Sequence, residues 1–479
     1  MVEKKTGNEL KGREPFLIVI LGATGDLAKK KLVPAIYRLF VNKRVGDFAL
    51  IGVGRRPLST DKWLEASRPY IKNLEKKNWK TLKKISYYFR ADFYESQRWA
   101  EFGAFIRAIE QKHKLSGNRI FHLATMPEHF EVIIEQLHKQ GLAAQKAGNG
   151  WRRVVFEKPF GSDLASAKHI NKTIRKVFDE SQIYRIDHYL GKELVQNISV
   201  LRFTNQILEP LWNKENIDHI QIILSEDFGI EGRGAYYDRY GALKDVVQNH
   251  MLQLLCLTAM ESPYRLTADS IRDEKMKILK AIRKINPKDV VLGQYRGYTR
   301  EKGVKKNSKT ETFVAAKLFV DSWRWSGLPF YFITGKKMKE KITSIYIQFK
   351  QAPCLLFEGI CLFVPNYLVI QIQPEEGFYI RLNAKVPGKM DITPIKLEFC
   401  HPCIFGPNTP EAYENLIADV VAGDQSVFLR DDEIELSWKI IDDLIAKKPK
   451  ISIYNPGSYP KEADELIRKD GRSWHLVVK

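Results

Sequence analysis

Phe16-Leu17-Ile18-Val19-Ile20-Leu21-Gly22-Ala23-Thr24-Gly25-Asp26-Leu27-Ala28 decides the fold. Six apolar residues in a row read as a strand buried on both faces. Two glycines follow at once, and residues 27–42 then take on the apolar spacing of a helix. A strand that turns through small residues straight into a helix is the first unit of a dinucleotide-binding sheet. The small residues let the backbone turn tightly and approach a pyrophosphate at the helix N-terminus. The spacing is GxxGxxA rather than GxGxxG, and a tight turn with no ligand is the alternative reading.

Working outward, residues 48–53, 120–124 (with His122 inside) and 153–157 read as further strands, and 128–140 as a helix. This βαβα order predicts a parallel sheet wrapped by helices, an α/β Rossmann-like coenzyme domain over residues 15–187. Residues 1–14 are polar and lysine-bearing and read as a flexible lead, not a secretory signal. Beyond Asp187 the character changes. Residues 217–226, 312–321, 343–350 and 367–373 are long β-branched runs, separated by helices at 241–260 and 272–285 and followed by helices at 410–422 and 431–447. They predict a larger α+β domain over 188–479, built on a mainly antiparallel sheet and serving substrate binding and oligomerisation.

Bulk composition narrows the function classes. The 479 residues carry 77 Lys and Arg against 57 Asp and Glu, a formal charge of +20. The lysines are scattered apart from a basic stretch at 72–84, and no nucleic-acid module is recognisable. The charge therefore points to anionic metabolites and a basic surface rather than to nucleic acid. No apolar run approaches the roughly 20 residues that a membrane helix needs. There are five cysteines. Cys400-His401-Pro402-Cys403 has CxxC spacing, yet no second CxxC or nearby histidine pair completes a zinc site. Reduced thiols in a cytoplasmic protein are expected, and no metal.

Six motifs carry chemistry. The glycine-bearing turn at 22–28 is the first. The second is Gly52-Val53-Gly54-Arg55-Arg56. A carboxylate here would hold the ribose hydroxyls of NAD, whereas two arginines match the extra phosphate of NADP; a pair of surface arginines is the alternative. The third is Glu157-Lys158-Pro159-Phe160-Gly161, where Lys158 ends a strand and is held extended by the proline. The fourth is Asp245-Val246-Val247-Gln248-Asn249-His250 on a helix. A histidine near neutrality takes a proton from an alcohol as hydride leaves the same carbon, though a helix histidine often only packs. The fifth is the lysine-rich loop 335–341, which by itself reads as a solvated turn. Arg185-Ile186-Asp187-His188-Tyr189-Leu190-Gly191-Lys192 adds an octapeptide with enough cations and hydrogen-bonding groups to grip a phosphate dianion.

Taken together these residues resemble the glucose-6-phosphate dehydrogenase family. GATGDLAKKKLVPAIYRL, VVFEKPFGSDLASA, RIDHYLGKELVQN, EGRGAYYDRYGALKDVVQNHMLQLL and GPNTPEAYENLIADVVAGD carry the resemblance, which runs from about Phe16 to Trp474. It implies oxidation of D-glucose 6-phosphate at C1 to 6-phosphoglucono-1,5-lactone with hydride transfer to NADP, the first oxidative step of the pentose phosphate pathway. It also allows NAD as a secondary acceptor, and implies no metal and a homodimer or homotetramer. By the same resemblance His250 is the base and Asp187 its partner. His188, Tyr189 and Lys192 hold the 6-phosphate. Lys158 touches substrate and coenzyme. Glu226, Asp245, Lys336, Lys341 and Gln373 bind sugar hydroxyls or phosphate. Gly22, Thr24, Gly25, Asp26, Leu27 and Arg55 form the coenzyme loop and the 2′-phosphate contact, with Arg56 beside them. Glucose–fructose oxidoreductase-like enzymes also join a Rossmann domain, an antiparallel sheet and an EKP motif. They offer a second reading, as a dehydrogenase of unphosphorylated sugar or as a catalytically silent dinucleotide-binding sensor. The phosphate-matching set at 188–192 argues against it.

Overall fold

Every residue of the first strand, β1 (Phe16–Leu21), is buried, as its unbroken apolar run requires. In the computed structural model, which describes residues 14–145, 150–357, 363–389, 391–406, 410–447 and 449–476, the chain divides into two units. The first comprises Met1–Gly191, Leu266–Asp269 and Pro410–Ile434; the second comprises Lys192–Arg265, Ser270–Thr409 and Glu435–Lys479. No helix among the described residues is long and apolar enough to cross a membrane.

Unit one is built on β1, β2 (Phe48–Gly54), β3 (Ser86–Arg90), β4 (Asn118–Leu123), β5 (Arg152–Phe156) and β6 (Ile183–Ile186). β1 lies between β2 and β4, and these six strands pair in parallel. The parallel expectation is met because each crossover is a helix-bearing segment that covers a face. The helix after β1 opens with wide, π-type turns at Ala28–Leu32, and Val33 donates to the Ala28 carbonyl five residues back. Pro34 lies at the start of the following α-helix, Val33–Val41, and the wider turn takes up the missing donor and the bulk of its ring. Ile18, Ile20, Leu32 and Ile36 share one core cluster with Leu416, Ile417 and Val420 from far along the chain.

Unit two is built on β7 (Ile217–Ser225), β8 (Val290–Tyr295), β9 (Phe313–Phe319), β10 (Pro329–Gly335), β11 (Ile342–Phe349), β12 (Tyr367–Gln373), β13 (Gly377–Lys385) and β14 (Ile392–Cys400). β15 (Phe428–Leu429) returns to unit one, and β16 (Ile451–Tyr454) closes the second sheet. That sheet has nine strands in the order β14-β13-β12-β11-β7-β10-β9-β8-β16. Only β7–β10 and β8–β16 pair in parallel, so the sheet is mainly antiparallel, as the long β-branched runs predicted. β15 pairs antiparallel with β6 at the edge of the first sheet.

Three expectations need correction. The helix expected over 241–260 is broken at Gly241, whose φ of 65° and ψ of 179° leave the helical region. Gly234–Ala242 precedes the break, wide turns occupy Leu243–Met251, and Leu252–Ala259 completes an α-helix. The helix expected over 272–285 runs Ala268–Ala281 instead, because Ile282 leaves it to bridge Val320. Cys400 and Cys403 are not reduced thiols but a disulfide. Cys400 ends β14 and the short helix His401–Phe405 starts at once, so one turn brings the two Cα atoms to 5.2 Å, within bonding reach.

Candidate active site

Each unit presents a set of candidate functional side chains, most of them at strand ends. In unit one the coenzyme loop is fixed by backbone. The N–H groups of Gly22 and Ala23 both donate to the Val53 carbonyl, at 3.0 and 2.9 Å, tying the end of β1 to the end of β2. Gly22 has φ +95°, and a Cβ there would meet the Ala124 carbonyl oxygen at 2.5 Å. Only glycine fits both the conformation and the space. Gly25 donates to the Gly22 carbonyl at 3.0 Å, and a Cβ on Gly54 would stand 3.2 Å from Thr24 Cγ2. The loop is therefore a bare-backbone cradle at a helix start, the shape a dinucleotide pyrophosphate needs. Asp26 is exposed and paired with Lys30 and Lys29 at 2.9 and 3.0 Å, and these lysines hold its carboxyl below the usual range. Leu27 is partly buried against the core. Arg55 and Arg56 stand exposed beyond β2, their carbonyls bound by Arg90 and Tyr88. With no carboxylate among residues 52–56, the donor set fits a coenzyme with a 2′-phosphate.

Lys158 is half-buried at the end of β5 and joined to Pro159 by a cis peptide bond. Its neighbour Glu157 is buried and held from both sides, by His122 Nε2 at 2.8 Å and by the Tyr413 hydroxyl at 3.1 Å. Burial, and then the charge of Glu157, push the Tyr413 phenol well above its ordinary value, so it remains a donor. Sequence reading missed this network: its members lie 35 and 256 residues apart. The one signal was a polar His122 inside an apolar strand.

At the end of β6, Asp187 is 1% exposed. Its Oδ1 accepts the Tyr189 N–H at 3.0 Å and its carbonyl accepts the Leu190 N–H at 3.0 Å. This tight turn leaves His188 and Tyr189 half-buried, their rings edge-on at 5.0 Å. Gly191 has no room for a side chain, since a Cβ would lie 2.7 Å from Leu416 Cγ. Arg185, counted above among the phosphate-gripping cations, is instead part of the packing. Its side chain is fully buried, ion-paired with Glu180 at 2.5 Å, and donates to the Leu429 carbonyl at 3.5 Å. Residue 185 lies within β6, so its side chain is committed to the edge of the sheet where β15 adds.

In unit two, Lys192 precedes the helix Glu193–Phe203, and its carbonyl accepts the N–H groups of Val195 and Gln196, both at 3.1 Å. Glu226 and Lys336 follow β7 and β10, which run parallel with Ser225 opposite Gly335. The two side chains thus emerge together and form an ion pair at 2.5 Å. The loop 335–341 is not a simple solvated turn. Lys336 is buried, with the Phe228 and Tyr237 rings 5.0 and 5.5 Å from its ammonium. Lys341 is exposed, 6.0 Å from the Phe228 ring. Gln373 ends β12 opposite Thr343 near the start of β11, and its Oε1 accepts the Thr343 hydroxyl at 3.4 Å. Strand direction therefore brings Glu226, Lys336, Lys341 and Gln373 to one end of the sheet.

Asp245 and His250 lie on the wide-turned segment and both are buried. Bonding to the residue five back sets positions five apart on adjacent turns, where α-helical winding would rotate them apart. Asp245 and His250 are five apart, so the unusual winding gives them a common face. Tyr236, across the Gly241 break, donates its hydroxyl to Asp245 Oδ1 at 3.0 Å. Asn249 Oδ1 accepts the His250 backbone N–H at 2.6 Å.

Comparison with known proteins shows the family. Residues 19–197 match the family model "Glucose-6-phosphate dehydrogenase, NAD binding domain", and residues 199–475 match "Glucose-6-phosphate dehydrogenase, C-terminal domain". The chain belongs to the glucose-6-phosphate dehydrogenase family. It is 46% identical to the glucose-6-phosphate 1-dehydrogenase of Bacillus subtilis over 480 residues, spanning 96% of this chain and 98% of that one. A solved glucose-6-phosphate dehydrogenase in complex with its substrate glucose-6-phosphate superposes with a TM-score of 0.91 at 35% identity, covering 97% of this chain and 99% of the other. The enzyme from Mycobacterium avium superposes with a TM-score of 0.83 at 35% identity, over 96% and 98% of the two chains. The family's Rossmann-like coenzyme domain and its larger, mainly antiparallel domain are both present.

Proposed function

We propose that this chain is an NADP-dependent glucose-6-phosphate 1-dehydrogenase, oxidising D-glucose 6-phosphate at C1 to 6-phosphoglucono-1,5-lactone. Full-length similarity to enzymes of that name, 46% identical over 96% of the chain, carries the reading. NADP held in the glycine cradle would supply the acceptor for the hydride that leaves C1. His250 removes the proton from the C1 hydroxyl, and Asp187 orients the ring and stabilises its cationic form. His188, Tyr189 and Lys192 hold the 6-phosphate. Glu226, Asp245, Lys336, Lys341 and Gln373 bind the sugar hydroxyls and the phosphate. Lys158 reaches substrate and coenzyme from its braced strand end. Gly22, Thr24, Gly25, Asp26 and Leu27 supply the pyrophosphate cradle, and Arg55, with Arg56, the 2′-phosphate contact. The chemistry asks for no metal, because the ring oxygen of the sugar stabilises the developing carbonyl. Positioning of base and sugar supplies much of the rate.

Support for a homo-oligomer comes from the outer strands of the second sheet and the short helix after them, where Leu382, Ile395, Leu397, Ile404 and Phe405 are all exposed apolar side chains. The proposed setting is the cytoplasm, since phosphorylated reactants cross an apolar bilayer only at high cost. The deciding test follows NADPH absorbance with glucose 6-phosphate and NADP for the wild type and for His250→Asn. The variant is expected to lose about 10²–10⁴-fold in kcat while still binding substrate. Turnover near wild type would remove His250 as the base. Equal rates with free glucose would remove the phosphate-binding assignment.

A further inference from the structure

The break at Gly241 is filled by a carboxylate that no motif announces. Glu311 stands at the end of the loop 301–311, just before β9, and is partly buried. Its carbonyl accepts the Ala242 N–H at 3.0 Å, and its side-chain Oε1 accepts the Leu243 N–H at 2.9 Å. These are donors of the first turn of the wide-wound segment, which lack partners within their own helix. Gly241 leaves room for this: a Cβ there would meet Glu311 Oε1 at 2.4 Å and Cδ at 2.7 Å.

The rest of the loop is braced against the helix before the break. Asp238 accepts the Tyr298 hydroxyl at 3.2 Å, the Lys305 N–H at 3.3 Å and the Ser308 hydroxyl, and its carbonyl accepts the Thr310 hydroxyl at 2.7 Å. A Cβ on Gly234 would stand 2.1 Å from the Lys302 carbonyl oxygen, so helix and loop are in flush contact. Glu311 is thus presented to the break by a fixed strut rather than by a free side chain.

We infer that Glu311 is a positioning residue for the general base: its carboxylate and carbonyl hold the first turn of the segment that carries Asp245 and His250, and so preserve the winding that gives both a common face. The inference rests on the proposed role of His250. Without the anchor, that turn relaxes toward ordinary α-helical bonding, which rotates His250 away from Asp245. A negative charge is favoured at a helix N-terminus, so the ionised form grips the turn more tightly. Burial pushes the Glu311 acid up to about 7, while the N–H groups of Leu243 and of Glu311 itself, and the charge of Lys244, pull it back. The other titratable groups facing it are the Tyr237 and Tyr298 phenols, both held protonated by burial. Full activity on the acid side then requires two groups to be deprotonated, His250 and Glu311.

The test uses the full-length enzyme with glucose 6-phosphate and NADP, comparing Glu311→Gln, Glu311→Ala and His250→Asn. Glu311→Ala is expected to lower kcat roughly 10- to 100-fold, as misplacement of a catalytic group does, with the KM for glucose 6-phosphate nearly unchanged. Glu311→Gln keeps an acceptor for Leu243 but cannot ionise. Like the protonated acid, it should lose much of kcat even in alkali, and the slope of log kcat on the acid limb should fall from about 2 to about 1. Wild-type kcat in Glu311→Ala, or an unchanged two-proton slope in Glu311→Gln, overturns the inference. If Glu311→Ala does not fold, the slope in Glu311→Gln decides. Full activity in His250→Asn would overturn the base assignment instead, so the two failures are separable.

Discussion

Tyr413 shows how one hydroxyl is tied to the strand end that carries Lys158. It donates to Glu157, which His122 holds from the other side, and Glu157 precedes Lys158. Tyr413→Phe removes a bond to a buried carboxylate, a loss of about 1.5–3 kcal/mol. The expected outcome is a lower Tm and a KM for coenzyme raised several-fold, read by thermal denaturation and initial rates. Glu311 makes a second prediction. Its acid lies at about 7 against an ordinary 4.5, so the folded state binds the proton more tightly than the unfolded one. The stability it contributes is complete below 4.5 and is lost as pH rises through 7. Glu311→Gln should therefore show a smaller fall in Tm between these pH values than the wild type. Lys192→Ala tests the phosphate assignment. It should raise the KM for glucose 6-phosphate far more than that for free glucose, and equal rises would sink it.

Among the elements, the broken helix at 234–259 governs most of what is unusual. Gly241→Ala forces a side chain into a φ of 65° and into the space of the Glu311 carboxyl. Both kcat and Tm should drop, and Glu311→Ala in the same chain should relieve the steric part only. The C-terminal segment has its own pH dependence. His475 stacks on Tyr346 at 4.3 Å, and burial and then Arg381 hold its pKa down to about 4 from 6.5. The stability it lends is present above 6.5 and is lost as pH falls through 4. Acid should therefore expose the tail to proteolysis first, and His475→Phe should delay that.

Legibility varied with how local the physics was. β1, β2, β7 and β12 announced themselves because each is an unbroken apolar or β-branched run. β6 and β15, of four and two residues, are too short to carry a period. β10, PFYFITG, is apolar but opens on a proline and closes on a glycine, residues that punctuate strands rather than announce them. The proposed site residues at 158, 187–192 and 245–250 stand out in the sequence because they cluster in motifs. Glu311, Tyr413 and the packing role of Arg185 do not, because each depends on a partner that sequence spacing does not supply.

For the molecule as a whole, the formal charge of +20 faces a substrate and a coenzyme that are both anionic. Rates steered by such a field fall with ionic strength. The kcat/KM for glucose 6-phosphate should decline as salt rises, while kcat holds nearly constant. The exposed apolar side chains on β13, β14 and the helix after them predict an assembly larger than one chain, measurable by sedimentation. Charged replacements at Ile395 and Leu397 should dissociate it.

β15 has a consequence for biosynthesis. The first sheet is finished by Phe428 and Leu429, and its core cluster takes in Leu416, Ile417, Val420 and Val421. A ribosome that has released only the first two hundred residues has therefore made six strands whose edge and apolar face await a segment not yet translated. At about 5–20 residues per second that wait lasts on the order of ten seconds or more. During it, β6 is an open edge and the apolar face is bare, the situation in which a nascent chain recruits chaperones. Truncation before Pro410 should leave a coenzyme unit that aggregates, although every residue of its glycine cradle is intact.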